Sequence, residues 1–144
     1  MEASQYARSY FERGCNCAQA VLAAIGPQFD LTPEQCMKIA AAFGGGIARR
    51  GELCGAVSGA LMLLGLKHGG SPIGDPSLKE EVHRQTEQFL AAFTQCHGSV
   101  ICRDLLGCDL STPEGRAHAH AHELAKTVCP NFVQTAVELF LQQG

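Results

Sequence analysis

Four of the eight cysteines in this sequence stand where a helix is expected to begin. Cys17 follows the capping residue Asn16. Cys54 opens an apolar stretch after Gly51-Glu52-Leu53. Cys102 falls in the first turn after Ser99, and Cys129 sits at the N-cap position before Pro130. A helix start presents unpaired N–H groups and the positive end of the helix dipole, so it favours an anion. The thiolate is the form of cysteine that attacks disulfides and binds metals. The placement therefore suits two chemistries, dithiol–disulfide exchange and metal ligation. A third reading treats the four as small residues tolerated at helix starts.

The sequence holds no CxxC pair, so a zinc ribbon or a thioredoxin-like motif lacks its usual support. The four cysteines can act together only if the fold brings four distant helix starts to one end. They would then serve as a thiol-based oxidoreductase or electron carrier. Alternatively they would bind an iron–sulfur cluster or a tetrahedral zinc. A helical interaction module with incidental cysteines is the remaining reading. At least one of the four is expected to titrate below the free-cysteine range.

The elements that must position these residues are helical. Ala3, Tyr6, Ala7, Tyr10 and Phe11 form one amphipathic stripe. Val21, Leu22 and Ile25 give a second helix, over 17–25, its inward face. Thr32-Pro33-Glu34-Gln35 reads as a capping box with proline in the first turn, opening a helix to about Phe43. Residues 54–67 are apolar nearly all round and should be central. A long helix is expected over 77–97, then a short one holding Cys102, Leu105 and Leu106. Another should run over 113–127, and the last should bury Phe132, Val133, Val137 and Phe140. The expected fold class is all-α, a compact single-domain bundle of six to eight helices over residues 1–144.

Length and composition fit that picture. The chain has 144 residues, 46% hydrophobic and 17% charged, and a formal charge of −3. No basic tract supports a nucleic-acid partner. The apolar run from Leu53 to Leu66 is too short for a membrane span. The polar N-terminal stretch does not resemble a secretory signal. Cytoplasmic localisation follows as the expectation, and there thiols stay reduced unless they have a task. Expected partners are an electron-donor or acceptor protein, or a small redox substrate.

The chain resembles the family of redox-active proteins named for the pattern C_GCAxxG_C_C. Cys54-Gly55-Ala56-Val57-Ser58-Gly59 carries the glycine motif, here in the order CGAxxG. Cys17, within Asn16-Cys17-Ala18-Gln19-Ala20-Val21, fits the first cysteine. Cys102 and Cys129 fit the third and fourth. The Gly44-Gly45-Gly46 stretch and Leu64-Gly65-Leu66 agree as well, and the likeness runs from Tyr10 to Phe140. It implies redox activity without naming a substrate.

Other residues invite weaker readings. Cys15, Cys36, Cys96 and Cys108 lie outside the pattern and read as buried small residues. Cys96 and Cys108 flank Cys102 evenly, so either is a candidate resolving thiol. Gly55 and Gly59 share a helix face on which another helix backbone can approach closely, within one chain or in a homodimer. The loop Gly44–Gly51, with Arg49 and Arg50, reads as a flexible connection or an anion-binding loop. His118 and His122 share a face and are weak metal candidates.

Overall fold

The computed structural model describes residues 2–70 and 73–143. Its elements are α1 (Ala3–Glu12), α2 (Cys17–Ile25), a 3-10 turn (Gly26–Phe29), α3 (Pro33–Ile39) and α4 (Gly55–His68). They continue with α5 (Pro76–His97), α6 (Cys102–Leu106), α7 (Pro113–Ala121), α8 (Leu124–Thr127) and α9 (Cys129–Gln142). The fold is all-α, and among the described residues the only β feature is one isolated antiparallel bridge, Leu53 to Ile101.

Helices α2, α4 and α9 pack on one another and form the centre; α1 lies on α2 and α9, and α5 on α4 and α9. The core follows the expected apolar faces. Val21, Leu22 and Ile25 of α2, Val57, Leu63 and Leu64 of α4, and Val133 and Val137 of α9 are buried. Phe89 and Phe93 stack at 6.2 Å along α5 and complete it.

Local signals set most boundaries. The Asn16 side chain accepts from the Gln19 N–H at 2.8 Å, and the Gln19 side chain accepts from the Asn16 N–H at 2.9 Å. Thr32 and Gln35 form the same reciprocal box on α3. Gly98 (φ 88°) and Gly107 (φ 69°) end α5 and α6 in the left-handed conformation that glycine tolerates.

Three boundaries differ from expectation, each for a tertiary reason. Helix α3 stops at Ile39 rather than Phe43, because α2 satisfies its last carbonyls. Asn16 Nδ2 donates to the Ala40 and Ala41 carbonyls at 3.3 and 3.2 Å, and Gln19 Nε2 donates to Met37 O at 2.9 Å. The expected helix over 113–127 is two helices, α7 and α8, joined through Glu123 at φ 51°. Gly115 of α7 lies against the Asp109 backbone while α8 packs on α9, and a straight rod cannot do both. Helix α6 is not capped by Ser99. Its N-cap is Ile101, and Ser99 Oγ instead accepts from the Ile101 N–H at 2.9 Å.

Gly55 and Gly59 face α2, so the small-residue face is covered within the chain rather than open to a second copy. No helix among the described residues is long and apolar enough to cross a membrane.

Candidate functional site

All four pattern cysteines start helices. Cys54 is the N-cap of α4, while Cys17, Cys102 and Cys129 are the first residues of α2, α6 and α9. Cys129 thus sits one place inside the helix, with Val128 as its N-cap. The four helix starts meet. Cys17, Cys54, Cys102 and Cys129 line one cavity of about 140 Å³, walled mainly by Phe11, Leu105, Leu106, Leu110 and Phe132.

Different local structures aim each cysteine. The capping box of α2 and its clamp on the end of α3 hold Cys17. The Leu53–Ile101 bridge holds the next two together. In it the Cys54 N–H donates to Val100 O at 2.8 Å, and the Cys102 N–H donates to Glu52 O at 2.7 Å. Residues separated by nearly fifty positions are thereby fixed as neighbours. Cys129 enters through the bend after α8.

Gly45 and Gly46 of the glycine-rich loop form part of the wall of this cavity. Gly45, Gly46, Ile47, Ala48 and Arg49 all have φ between 47° and 70°. Three of these are not glycine, a strained arrangement that surrounding contacts must hold. The Gly51 and Glu52 N–H groups donate to Gly45 O and Gly46 O at 3.1 and 3.0 Å. A side chain at Gly46 would strike Cys102 Cβ and the backbone of Gly51 and Glu52. Arg50 is exposed and pairs with Glu52 at 3.3 Å, so the loop closes on itself.

The thiols are electrostatically unequal. The hydrogen bond Cys17 donates to Cys129 raises Cys17 well above the ordinary thiol value, and burial and the other three cysteines add to the effect. The same bond lowers Cys129, against its own desolvation. Burial pushes Cys54 up to about 11, opposed by the Ala56 and Val57 N–H groups of the helix start. Burial pushes Cys102 up to about 12, helped by Cys54, Cys129 and Cys108. Cys129 is therefore the first of the four to ionise. Only this one of the four helix starts carries the lowered thiol expected from the sequence. At Cys54 and Cys102, the desolvation of a buried anion outweighs the helix dipole.

A stability consequence follows. Cys54 and Cys102 are 4% and 7% exposed. Above the ordinary value of 9.0 the unfolded chain releases these protons while the folded chain keeps them. Folding stability should therefore fall from about pH 9 towards about pH 12, at about 1.4 kcal/mol per pK unit of separation. Urea unfolding against pH should show a shallower alkaline decline for Cys54→Ala than for the parent chain. Equal slopes would mean that Cys54 is not held protonated.

The remaining cysteines divide. Cys36 is fully buried, and its Sγ lies 3.7 Å from Leu22 O. Half-buried Cys15 donates to Met37 Sδ at 3.5 Å. Cys96 is exposed, so the reading of a buried residue fails there; it faces out near the end of α5. Cys108 is half-buried and is raised by burial first, then by Cys129. The exposed His118 and His122 rings lie tilted with centroids 4.1 Å apart, where His122 Nδ1 meets His118 O at 3.0 Å. Among the described residues no group of three or more His, Cys, Asp or Glu side chains is disposed to hold a metal ion.

Sequence reasoning missed the cavity walls and the bridge. The signal for the bridge was slight: Leu53 and Ile101 each directly precede a site cysteine. The family model described as "Putative redox-active protein (C_GCAxxG_C_C)" matches residues 15–142. No curated protein matches the chain. No solved structure matches it either.

Proposed function

The chain belongs to the C_GCAxxG_C_C family, and from that premise we propose that it transfers electrons by thiol–disulfide exchange at Cys129 and Cys17. The observation that carries this reading is the meeting of Cys17 and Cys129 in one cavity, where each is the largest influence on the other, raising Cys17 and lowering Cys129. A nucleophilic thiolate and a protonated resolving thiol are the two parts the reaction needs.

The Cys129 thiolate attacks one sulfur of an acceptor disulfide. A mixed disulfide forms and one acceptor thiolate leaves. Cys17 gives its proton to that thiolate, and its sulfur displaces the second acceptor half from Cys129. The protein ends with a Cys17–Cys129 disulfide. The acceptor gains two electrons and becomes two thiols, one proton coming from Cys17 and one from solvent, which received that of Cys129. Cys54 and Cys102 remain protonated at neutral pH and wall the cavity behind this pair. The gathering of the four cysteines in one cavity favours this reading over incidental cysteines in an interaction module.

The test is equilibration in dithiothreitol buffers of graded oxidation, then acid trapping and peptide mapping. A reversible Cys17–Cys129 linkage, formed before any other, is expected. A different first pair would overturn the assignment. Iron with acid-labile sulfide, or zinc, in protein purified without oxygen would replace exchange by metal ligation.

A further inference from the structure

A groove of about 360 Å³ adjoins the cysteine cavity. Cys129, Leu106 and Leu110 belong to both, whereas Cys17, Cys54 and Cys102 line only the inner cavity. The rest of the groove comes from α7, α8 and the bend between them. We propose that this groove binds a small organic disulfide with an uncharged, apolar body, and presents it to Cys129 as the electron acceptor. The proposal rests on the exchange reading above and names its substrate class.

Size separates the two spaces. Small-molecule sites usually run from about 300 to 1,000 Å³. The groove reaches that range; the inner cavity does not, and at about 140 Å³ has room for a group no larger than a benzene ring. The substrate body therefore belongs outside, with one sulfur at Cys129. Position then gives an order to the chemistry. The substrate reaches the thiolate from the groove, and Cys17 reaches the same sulfur from the cavity.

The lining sets the chemical class. Leu106, Leu110, Ala119 and Leu124 supply apolar wall. At the rim Lys126 pairs with Glu123 at 3.5 Å, and the remaining polar side chain of the lining besides Cys129 is His120, so the described residues of the groove offer no fixed, unpaired charge to an ionic disulfide. A hydroperoxide has less to bind it, since apart from the cysteines the described residues of the inner cavity hold no free side-chain donor for its departing oxygen. Among the described residues the only non-cysteine polar side chain lining the inner cavity is Asn16, and its amide is committed to Gln19, Ala40 and Ala41.

The experiment uses 4,4′-dithiodipyridine, an uncharged aromatic disulfide, with adduct formation at Cys129 followed by peptide mapping. Ala125→Trp should fill the groove from α8, where Ala125 is exposed and lines it. The Cys129 rate should fall at least about tenfold, as expected when a binding pocket is occupied. Ala119→Phe, on α7, should do the same if the tryptophan variant folds poorly. The Cys17–Cys129 equilibrium with dithiothreitol should stay unchanged in both. Unaltered rates in folded variants with a normal equilibrium would overturn the groove and leave the exchange reading standing. Failure of the parent chain to form the Cys17–Cys129 disulfide would overturn both. Insulin disulfides reduced at the parent rate by the filled variants would assign the acceptor to proteins instead.

Discussion

Replacing Cys129 by serine should remove most of the thiol reactivity of the cavity at neutral pH. Burial still holds Cys54 near 11 and Cys102 near 12 as thiols, and burial still raises Cys17 although its bond to Cys129 is gone. At pH 7 a thiol of pKa 11 is ionised in about one molecule in ten thousand, against about one in a hundred at an unshifted 9.0. Cys129 lies below that ordinary value. Stronger intrinsic nucleophilicity returns about a tenfold factor to the more basic thiols, so the net fall should be about ten- to a hundredfold. Alkylation of metal-free protein, resolved by peptide, reads it directly.

The Cys17 variants separate activation from resolution. Cys17→Ala removes the donor, so the Cys129 rate profile should move to higher pH. Cys17→Ser keeps a hydroxyl donor and should hold the profile low, yet neither variant can close the disulfide. Cys36→Ser is the control, because its sulfur touches Leu22 O away from the cavity and should cost only stability. Equal loss from Cys36→Ser and Cys129→Ser, both fully folded by circular dichroism, would mean that the site is drawn around the wrong cysteines.

The second large effect is expected at Gly59. A Cβ there would stand 2.9 Å from Ala18 O, 3.0 Å from Val21 Cβ and 3.3 Å from Val21 Cγ1. Ala18 and Val21 are fully buried, and the nearest atom is backbone, so relief requires moving α2. Overpacking of this kind costs about 1–3 kcal/mol, which exceeds the helix-propensity gain of about 1 kcal/mol from replacing glycine with alanine. Gly59→Val, bulkier and β-branched, should lose about 3 kcal/mol and lower Tm by about 10 °C. The displaced helix carries Cys17, so the lowered Cys129 profile should weaken in the same variant. Gly65→Ala on the same helix meets nothing within 4 Å and should gain up to about 1 kcal/mol. Matching losses at the two glycines would show that propensity, not the close approach of α2, governs this helix.

The sequence by itself determined the helical class, most helix starts and the core faces, because these depend on residues within one or two turns. Asn16 with Gln19, and Thr32 with Gln35, cap their own helices, and the stripe on α9 is legible at helical spacing. The four helix-start cysteines were legible for the same reason, together with the C_GCAxxG_C_C resemblance. Local signals failed where a distant partner decided the outcome. The length of α3 depends on Asn16 from α2, and the break at Glu123 depends on where α7 and α8 must each pack. Cys54 and Cys102 become neighbours through a single bridge that has no strand around it to announce it. Tertiary structure also decided which thiol ionises. Every helix start offers a similar dipole, but burial opposes it at all four, and only Cys129 receives an S–H from Cys17 to compensate. That donor comes from α2, more than a hundred residues earlier in the chain, so no reading of the residues around Cys129 alone could have singled it out.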